Sequence, residues 1–464
     1  MVLSEENLTD DYPLERCPGP TWQDKLDEDV RSVPGYLRAE SPYLNGFDDI
    51  PKERYLSRDF HNLEKERLWS RVWQFACREE HLPEVGSTII YEITDRSYLI
   101  TRVSTNEIKA YPNACLHRGR ALKTYDSRCS EFRCPFHGFA WNLDGTLKHI
   151  PAEWDFPHLE VRKDEMNLPE VKVAIWAGFV FINPDPNAEP LEEFLGPEIQ
   201  QHFERWDFEN RYVAAHVAKV IRCNWKIANE AFCEGFHVNA THPQGMSYTG
   251  DPQSQIDVYG NTARQLSPKG IPCPLLPEIP TEEQMLRDAL DVREGEELPI
   301  SFQEGDTLRR VLAEASRERF RSTFGNRVDD IGDAEFLDAW VYIVHPNFQP
   351  WGGLNRIVYR FRPNGDDHET CIFEILYVAP FSGERPTPAE VIHLGADDPW
   401  TDAEALEKLA MVAEQDTFNM EQVQRGLKNL RREGVALSRY QESIIRWKHD
   451  LLTECIERGP VDYE

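Results

Sequence analysis

Four residues in two short segments have the types and spacing of metal ligands. The first segment reads Cys115-Leu-His117-Arg-Gly and the second reads Cys134-Pro-Phe-His137-Gly, so each offers one thiolate and one imidazole. A Cys2His2 set suits tetrahedral zinc, but zinc fingers usually take both cysteines from one hairpin and both histidines from a helix. A mixed pair in each loop fits a [2Fe–2S] cluster in which two histidines replace two cysteines on one iron.

A second pair of histidines lies farther along the chain. Glu234 and His237 are three residues apart, which places them on one face if the segment is helical. His237 and His242 are five apart, about 140° around an ideal helix, so both face one metal only if the helix distorts or ends. Pro243 disfavours the helical region for His242 and predicts that end. Two histidines with room for one carboxylate suggest a non-haem iron(II) site with positions open for oxygen.

Asp416 is the predicted carboxylate, because it falls on the apolar stripe of the helical stretch 402–432. The stripe is formed by Leu409, Ala413, Met420, Val423 and Leu427. A carboxylate that points into a core is costly unless it is paired or bound to a metal. Iron would supply the cation, and an ion pair with Arg425 or Lys428 is the alternative. Glu234 also has an alternative interpretation, as a solvated helix acid.

The two regions resemble the Rieske non-haem iron oxygenases, the terminal components of ring-hydroxylating systems. The Rieske-like part runs from Cys115 to the Trp141-Asn-Leu-Asp-Gly segment, and the catalytic part matches Asn224-Trp-Lys, Glu230 and the residues from Asp416 to Glu421. The similarity spans roughly residues 50 to 430, and the order of the two sites also matches.

The sequence departs from the family pattern at three positions. Ala231 stands where the family often has Asn or Gly, and Phe236 where Tyr is common. Glu234 stands where Asp is more usual, and its side chain is longer by one methylene. None of these changes removes a predicted ligand.

The resemblance implies roles for the cluster ligands and for Glu234. Cys115 and Cys134 would hold one iron, and His117 and His137 the other. It also implies a ring-like trimer in which the cluster of one subunit lies near the iron of its neighbour. Glu234 would then link His237 of one chain to His137 of the next, and head-to-tail contacts of this kind close into rings.

By the same resemblance, the chain is a terminal oxygenase that uses O2 to hydroxylate a small organic, mostly aromatic, substrate at mononuclear Fe(II). The alternative is a Rieske monooxygenase that acts as an N- or O-demethylase. The sequence has no Gly-rich nucleotide fingerprint after a strand, so NAD(P)H would act indirectly through a separate reductase, with or without a ferredoxin. A beta subunit is left open. The rival interpretations are a pure electron-transfer Rieske protein and a structural zinc protein.

Composition excludes several kinds of partner. The 464 residues carry 81 Asp+Glu against 51 Lys+Arg, a net charge of -30, which disfavours nucleic acid and anionic membranes. The sequence lacks the ~18 consecutive apolar residues of a membrane helix. Its acidic, mixed N-terminal segment lacks the features of a secretory signal, so the predicted location is the cytoplasm.

The segments that must position these residues suggest an α+β chain in three parts. Residues 1–50, with several prolines, are predicted to form an N-terminal arm. Short alternating runs after a helix at 56–76 predict a small all-β [2Fe–2S] domain over 51–185. Residues 186–464 mix longer helices and strands and predict an α+β catalytic domain on an antiparallel sheet. The charged stretch 278–332 predicts surface helices or a lid.

Overall fold

The computed structural model describes residues 16–41 and 46–463 of the chain. Residues 1–15 and 42–45 of the predicted arm therefore lie outside the described residues. The helices in the described ranges are α1 (Trp22–Asp27), α2 (Gly35–Arg38), α3 (Glu53–Leu56), α4 (Arg58–Arg67), α5 (Pro157–Glu160), α6 (Leu191–Glu204), α7 (Trp225–Glu230), α8 (Val238–Thr241), α9 (Glu282–Leu290), α10 (Leu308–Phe324), α11 (Asp333–Leu337), α12 (Lys408–Leu427) and α13 (Ser443–Glu457).

The strands of the same ranges are mostly short. They are β1 (Ile50–Pro51), β2 (Gln74–Arg78), β3 (Ser87–Ile93), β4 (Arg96–Ser104), β5 (Glu107–Pro112), β6 (Ser127–Arg128), β7 (Phe132–Arg133), β8 (Ala140–Trp141), β9 (Leu147–His149), β10 (Lys172–Trp176), β11 (Phe179–Asn183), β12 (Arg211–Ile221), β13 (Gln255–Tyr259), β14 (Thr262–Ser267), β15 (Ala339–Val344), β16 (Phe348–Pro350), β17 (Ile357–Asn364), β18 (Asp367–Pro380), β19 (Val391–Leu394) and β20 (Gly434–Val435).

The chain divides into two compact units. The large unit consists of the described residues within Met1–Phe60, Glu192–Phe361 and His368–Glu454, and the small unit of those within His61–Leu191, Arg362–Asp367 and Cys455–Glu464. The predicted fold class, a small β domain together with an α+β domain on an antiparallel sheet, is confirmed. The domain boundaries after residues 50 and 185 remain our proposal.

Three small sheets build the small unit, in the strand orders β5-β4-β3-β6, β7-β8-β9 and β10-β11-β2. Its core surrounds Trp141, which is fully buried and donates its indole N–H to the carbonyl of Met166 at 2.6 Å. Gly145 forms a turn after Asp144 with a φ of 85°. A Cβ at this position would lie 2.6 Å from the ring of Tyr111, so the core tolerates no side chain there.

An eight-stranded sheet in the order β13-β14-β15-β16-β17-β18-β12-β19 forms the centre of the large unit. Its registered pairs are antiparallel except β12 with β19, which run parallel. The buried strand β12 leads directly into α7, and α12 packs against α7 and α8. This arrangement brings the end of one strand and two short helices against one long helix.

Two predicted elements differ from the structure. The predicted helix at 56–76 ends at Arg67, because Gln74–Arg78 pair with β11 as strand β2. The predicted helix at 402–432 is regular over Lys408–Leu427, and two 3₁₀ turns precede it. The charged stretch 278–332 contains α9 and α10, as predicted. Among the described residues, no helix combines the length and the apolarity needed to cross a membrane.

Asn224 caps the N-terminus of α7 and ties it to its surroundings. Its side-chain oxygen accepts from the Lys226 N–H at 3.1 Å, and its amide donates to the His368 carbonyl at 2.8 Å. Because Asn224 is 2% exposed, Asn224→Ala removes two hydrogen bonds at a buried position. We expect a loss of about 1–2 kcal/mol in the free energy of unfolding, measured by chemical denaturation. Asn224→Ser retains a capping oxygen and should lose less; equal stability of the alanine variant and the parent would contradict this role.

Candidate functional site

The segment that carries Glu234, His237 and His242 consists of two short helices rather than one. Helix α7 ends at Glu230 and α8 begins at Val238, with turns between them. His242 then leaves the helical region, with φ -124° and ψ 57°, which confirms the break predicted from the following proline. The two breaks let His237 and His242 point toward the same neighbour.

That neighbour is Asp416 in the middle of α12. The buried face of α12 consists of Ala410, Ala413, Asp416, Thr417, Met420, Gln424 and Leu427. The predicted stripe was therefore wrong at Leu409, which is half-buried, and at Val423, which is 47% exposed. Asp416 itself is 4% exposed, as its position on the stripe predicted. Among the described residues, Asp416 does not form the alternative ion pair with Arg425 or Lys428.

Asp416 instead faces the Nε2 atoms of both histidines. Its Oδ1 lies 2.8 Å from His242 Nε2 and 3.7 Å from His237 Nε2. One ligand atom from each of the three residues lies within 4.8 Å of the other two. The structure thus brings together the three predicted ligands, two from the ends of α8 and one from the middle of α12.

The Nδ1 atoms of the two histidines form hydrogen bonds to other side chains. His237 Nδ1 donates to Glu234 Oε1 at 2.7 Å, and the His237 backbone N–H donates to Glu234 Oε2 at 2.9 Å. His242 Nδ1 donates to the amide oxygen of Gln415 at 2.8 Å. Outer partners of this kind fix the tautomer and the ring orientation of metal-binding histidines. Gln415 was missed in the sequence, although its position next to Asp416 was a usable signal.

The resulting donor set fits a metal ion. When each Nδ1 carries the proton, each neutral ring presents an Nε2 lone pair toward the carboxylate of Asp416. His242 Nε2 and Asp416 Oδ1 at 2.8 Å are then two acceptors in contact, which is unfavourable unless a proton or a cation lies between them. Two imidazoles and one carboxylate suit a divalent transition metal such as iron.

The carboxylates also affect the protonation of His237. Burial opposes the charged ring, but the hydrogen bond to Glu234 and the charges of Glu234 and Asp416 outweigh it and raise the pKa of His237 to about 9. In the metal-free protein, the His237 ring therefore holds an extra proton below that pH and loses it as the pH rises through about 9. A metal cation has to displace that proton.

In the small unit, the two predicted cluster loops have the same backbone geometry. The Cys115 N–H donates to the carbonyl of Arg120, and the Cys134 N–H donates to the carbonyl of Phe139, both at 2.8 Å. Gly119 and Gly138 close the loops with φ angles of 75° and 88°, which explains the glycine in each motif. The two loops follow β5 and link β7 to β8, respectively.

The side chains of these loops meet in two pairs, one of thiols and one of imidazoles. The Cys115 and Cys134 thiols are buried and in hydrogen-bonding contact, and burial together with the second thiol raises the pKa of Cys115. The rings of His117 and His137 lie 4.8 Å apart between centroids. The buried Nδ1 of His117 has no hydrogen-bond partner among the described residues. A pair of thiols, and a pair of imidazoles of which one has an unsatisfied ring nitrogen, fit the mixed ligands of a [2Fe–2S] cluster.

Burial and the nearby charges of His137 and Arg118 lower the pKa of His117. The shift favours the neutral imidazole, which is the form that binds metals. His137 is exposed, whereas His117 is half-buried and stacks on Phe139 at 4.5 Å between centroids. His137 is therefore the cluster-loop histidine that another molecule can reach. Cys129, which lies between the two loops in the sequence, packs at the edge of the core.

A cavity of about 310 Å³ opens beside the histidines of the large unit, and His237, Asp416 and Glu234 all line it. Glu230 also lines it and is fixed by two donors: the Tyr55 hydroxyl and His449 Nε2, each at 2.9 Å. Tyr55 and His449 were missed in the sequence, because they lie far from Glu230 along the chain and belong to no local motif.

Two family profiles match the chain. The profile "Ring hydroxylating alpha subunit (catalytic domain)" matches residues 201–458, and the profile "Rieske [2Fe-2S] domain" matches residues 72–160. These domains belong to a class that carries a Rieske [2Fe–2S] cluster and a mononuclear iron.

Curated relatives match over part of their length. The alpha subunit of biphenyl dioxygenase from Paraburkholderia xenovorans is 29% identical over 227 residues, which cover 45% of this chain and 50% of the relative. The oxygenase subunit of carnitine monooxygenase from Escherichia coli is 28% identical over 217 residues, or 46% of this chain and 56% of the relative. The chain therefore spans about half the length of the curated relatives it matches.

Solved structures share the fold. A quaternary ammonium Rieske monooxygenase aligns with a TM-score of 0.61 at 19% identity, over 88% of this chain and 95% of the other. Naphthalene 1,2-dioxygenase from Rhodococcus sp., bound to indole, aligns with a TM-score of 0.60 at 18% identity, over 89% and 95% of the two chains. Because the catalytic-domain profile covers more than half of the sequence, the chain belongs to the ring-hydroxylating alpha-subunit family, with a Rieske [2Fe–2S] domain before the catalytic domain.

Proposed function

We propose that the protein is a terminal oxygenase that uses O2 and singly delivered electrons to hydroxylate a small organic substrate. His237, His242 and Asp416 would hold mononuclear Fe(II), and Cys115, His117, Cys134 and His137 would hold the cluster. The observation that carries this proposal is the contact of His242 Nε2 with the Asp416 carboxylate at 2.8 Å, while Nδ1 of the same ring is held by Gln415. When bound, the iron would supply open positions for O2 and the cluster one electron at a time.

The side chains around the iron ligands have separable tasks. Glu234 and Gln415 orient the two imidazoles and keep their Nε2 atoms free for the metal. Asp416 would supply its carboxylate to the metal from the buried face of α12. Glu234 is 10% exposed at its side chain and lines the open cavity, so it can also reach a group on another molecule.

An aromatic substrate is the first candidate, because biphenyl dioxygenase is among the relatives. The product would be a ring-hydroxylated compound or a dihydrodiol. Demethylation of an N- or O-methyl group is the second candidate, since carnitine monooxygenase is similar to this chain at nearly the same identity. Hydroxylation of the methyl carbon would precede its loss in that case.

The electrons would come from a separate reductase, directly or through a ferredoxin. A net charge of -30 would steer a donor with a basic face, and this attraction would weaken with salt. We place the protein in the cytoplasm, as predicted from the sequence. We further propose a homotrimer, or a multiple of it, in which Glu234 links His237 of one chain to His137 of the next. A beta subunit is compatible with this assembly.

Products formed under labelled oxygen test the proposed reaction. Protein reconstituted with iron, a reductase and 18O2 should convert at least one member of a panel of aromatic acids, hydrocarbons and methylated amines. Two labelled atoms in the organic product indicate dihydroxylation, and one indicates monohydroxylation. Demethylation leaves the demethylated product unlabelled and places the labelled oxygen on the formaldehyde that is released. Asp416→Ala is the control, because it should keep the cluster spectrum and form no product. Labelled product from Asp416→Ala, or a protein that holds zinc alone, would contradict the proposal.

Glu234→Gln tests the proposed link between chains. The amide oxygen still accepts from His237 Nδ1, but the negative charge that would bind a second histidine is gone. We expect cluster and iron content near that of the parent, with oxidation of the cluster in a single turnover slowed at least about tenfold. Glu297→Gln, an exposed acid in the charged stretch, is the matched control. Normal single-turnover rates in Glu234→Gln would refute the link.

Iron binding should release a proton from His237. Since the pKa of His237 is about 9, its ring is protonated at pH 7.5 in the metal-free site and must be neutral to bind iron. Anaerobic calorimetry in buffers of different ionisation enthalpy should then give about one proton released per iron bound. Glu234→Gln removes the charge that raises this pKa and should release less. Binding heats that do not depend on the buffer would contradict the assigned ligand.

A further inference from the structure

The large unit contains an aromatic patch of five residues, namely Phe232, Trp351, Tyr359, Phe361 and Phe373. Phe232 follows the end of α7, and its ring centroid lies 4.8 Å from that of Tyr359. By the same measure, Phe361 and Phe373 lie 5.7 Å and 5.1 Å from Phe232. The Trp351 ring lies 5.8 Å from that of Tyr359. The patch thus packs the turn after α7 against β17 and β18.

Phe232 keeps part of its surface exposed, although it lies against buried rings. Phe361 and Phe373 are fully buried and Tyr359 is 2% exposed, whereas Phe232 is only half-buried. The side of Phe232 that these rings do not cover therefore borders open space. Aromatic rings at such a boundary give an aromatic ligand a surface on which it can stack or meet a ring edge.

The Tyr359 hydroxyl is a buried hydrogen-bond donor without an acceptor. It forms no hydrogen bond with the residues that the structure describes. Nε1 of the adjacent Trp351 is buried and also has no partner within the described part of the chain. Tyr377 on β18, by contrast, donates to the Leu406 carbonyl at 2.8 Å. Because an unpaired buried donor is costly, an acceptor supplied by a bound molecule would be favourable at Tyr359.

Asp416 is close enough to act on Tyr359 by its charge. Burial and, after it, the negative charge of Asp416 raise the pKa of Tyr359 well above its usual range. A raised pKa keeps the phenol protonated, so the hydroxyl remains a donor. The unpaired donor therefore lies in the surroundings of a proposed metal ligand, where a substrate must be held for hydroxylation.

We propose that the aromatic patch binds the ring of an aromatic substrate that carries an oxygen acceptor, and that the Tyr359 hydroxyl donates a hydrogen bond to this oxygen. The inference rests on the proposed oxygenase function and deepens it, because it names the substrate class: aromatic ketones, ethers and phenols rather than plain hydrocarbons. A site with a buried donor discriminates against an analogue that leaves the donor unpaired. Tyr359 is thus a specificity-determining residue, and Phe232 supplies apolar contact.

Two probes of similar size test the donor. Acetophenone carries a carbonyl oxygen, and ethylbenzene has a methylene in its place. Equilibrium dialysis of the iron-loaded, full-length protein without reductant measures the affinity of each probe in the absence of turnover. Tyr359→Phe should bind acetophenone at least about fivefold more weakly than the parent does, with the ethylbenzene affinity changed less than about twofold. An equal change for both probes, no change for either, or a parent that binds neither would overturn the proposal.

The thermal stability of the same variant separates a role in binding from a role in packing. Tyr359→Phe should have a Tm equal to or above that of the parent, because the fold loses an unpaired donor and no hydrogen bond. Tyr377→Phe is the matched control, since it removes a hydroxyl that is buried on the same sheet and hydrogen-bonded. It should lower the Tm and keep the probe affinities of the parent. A Tm of Tyr359→Phe below that of the parent would show that the hydroxyl serves the fold, and the proposal would fail.

Binding and catalysis are read separately in these experiments. If the probe affinities change as expected but no panel substrate yields labelled product, the proposed reaction fails and the binding site stands. If labelled product forms but Tyr359→Phe binds acetophenone as the parent does, the assignment of Tyr359 is overturned and the oxygenase proposal stands.

Discussion

The buried carboxylate of Asp416 is the constraint on which the large unit depends. It lies on the core face of α12, 4% exposed, and its Oδ1 meets the Nε2 atom of His242 at 2.8 Å. Because Gln415 occupies the other ring nitrogen of His242, this contact joins two acceptors unless a proton or a cation lies between them. A negative charge in such a place is costly unless a cation joins it. The helix ends at His237 and His242 direct both rings toward Asp416, which is the arrangement that a bound cation requires.

The candidate site could be predicted from the sequence because its signals are local. Each cluster loop needs a glycine at positive φ next to its ligands, and both Gly119 and Gly138 stand in the motifs. The break at His242 follows from the proline after it. Asp416 was identifiable as a charge on an apolar helix face, even though Leu409 and Val423 were wrongly assigned to that face. These two errors did not affect the prediction for Asp416, because its own position on the helix places it on the buried face.

What the sequence did not reveal depends on contacts between distant residues. Tyr55 and His449 both donate hydrogen bonds to Glu230, but they lie far apart in the sequence and no sequence pattern links them. The end of α4 was missed because Gln74–Arg78 become a strand through pairing with β11, and pairing over such a separation overrides local helix preference. The small unit likewise includes Arg362–Asp367 and Cys455–Glu464, which return to it from far along the chain. Tertiary packing determines which unit such distant segments join, so local sequence patterns do not predict it.

The central claim is that one chain carries a mixed-ligand iron–sulfur cluster and a separate iron held by two histidines and Asp416. Mössbauer spectroscopy of the 57Fe-enriched, reduced protein tests this most directly. The account predicts the paired signals of a localised ferric–ferrous cluster, as expected for chemically different ligands on its two irons, together with a high-spin ferrous site. The ferrous site should vanish in Asp416→Ala while the cluster signals persist. A spectrum with cluster signals alone in the parent protein, or no bound iron at all, would contradict the account.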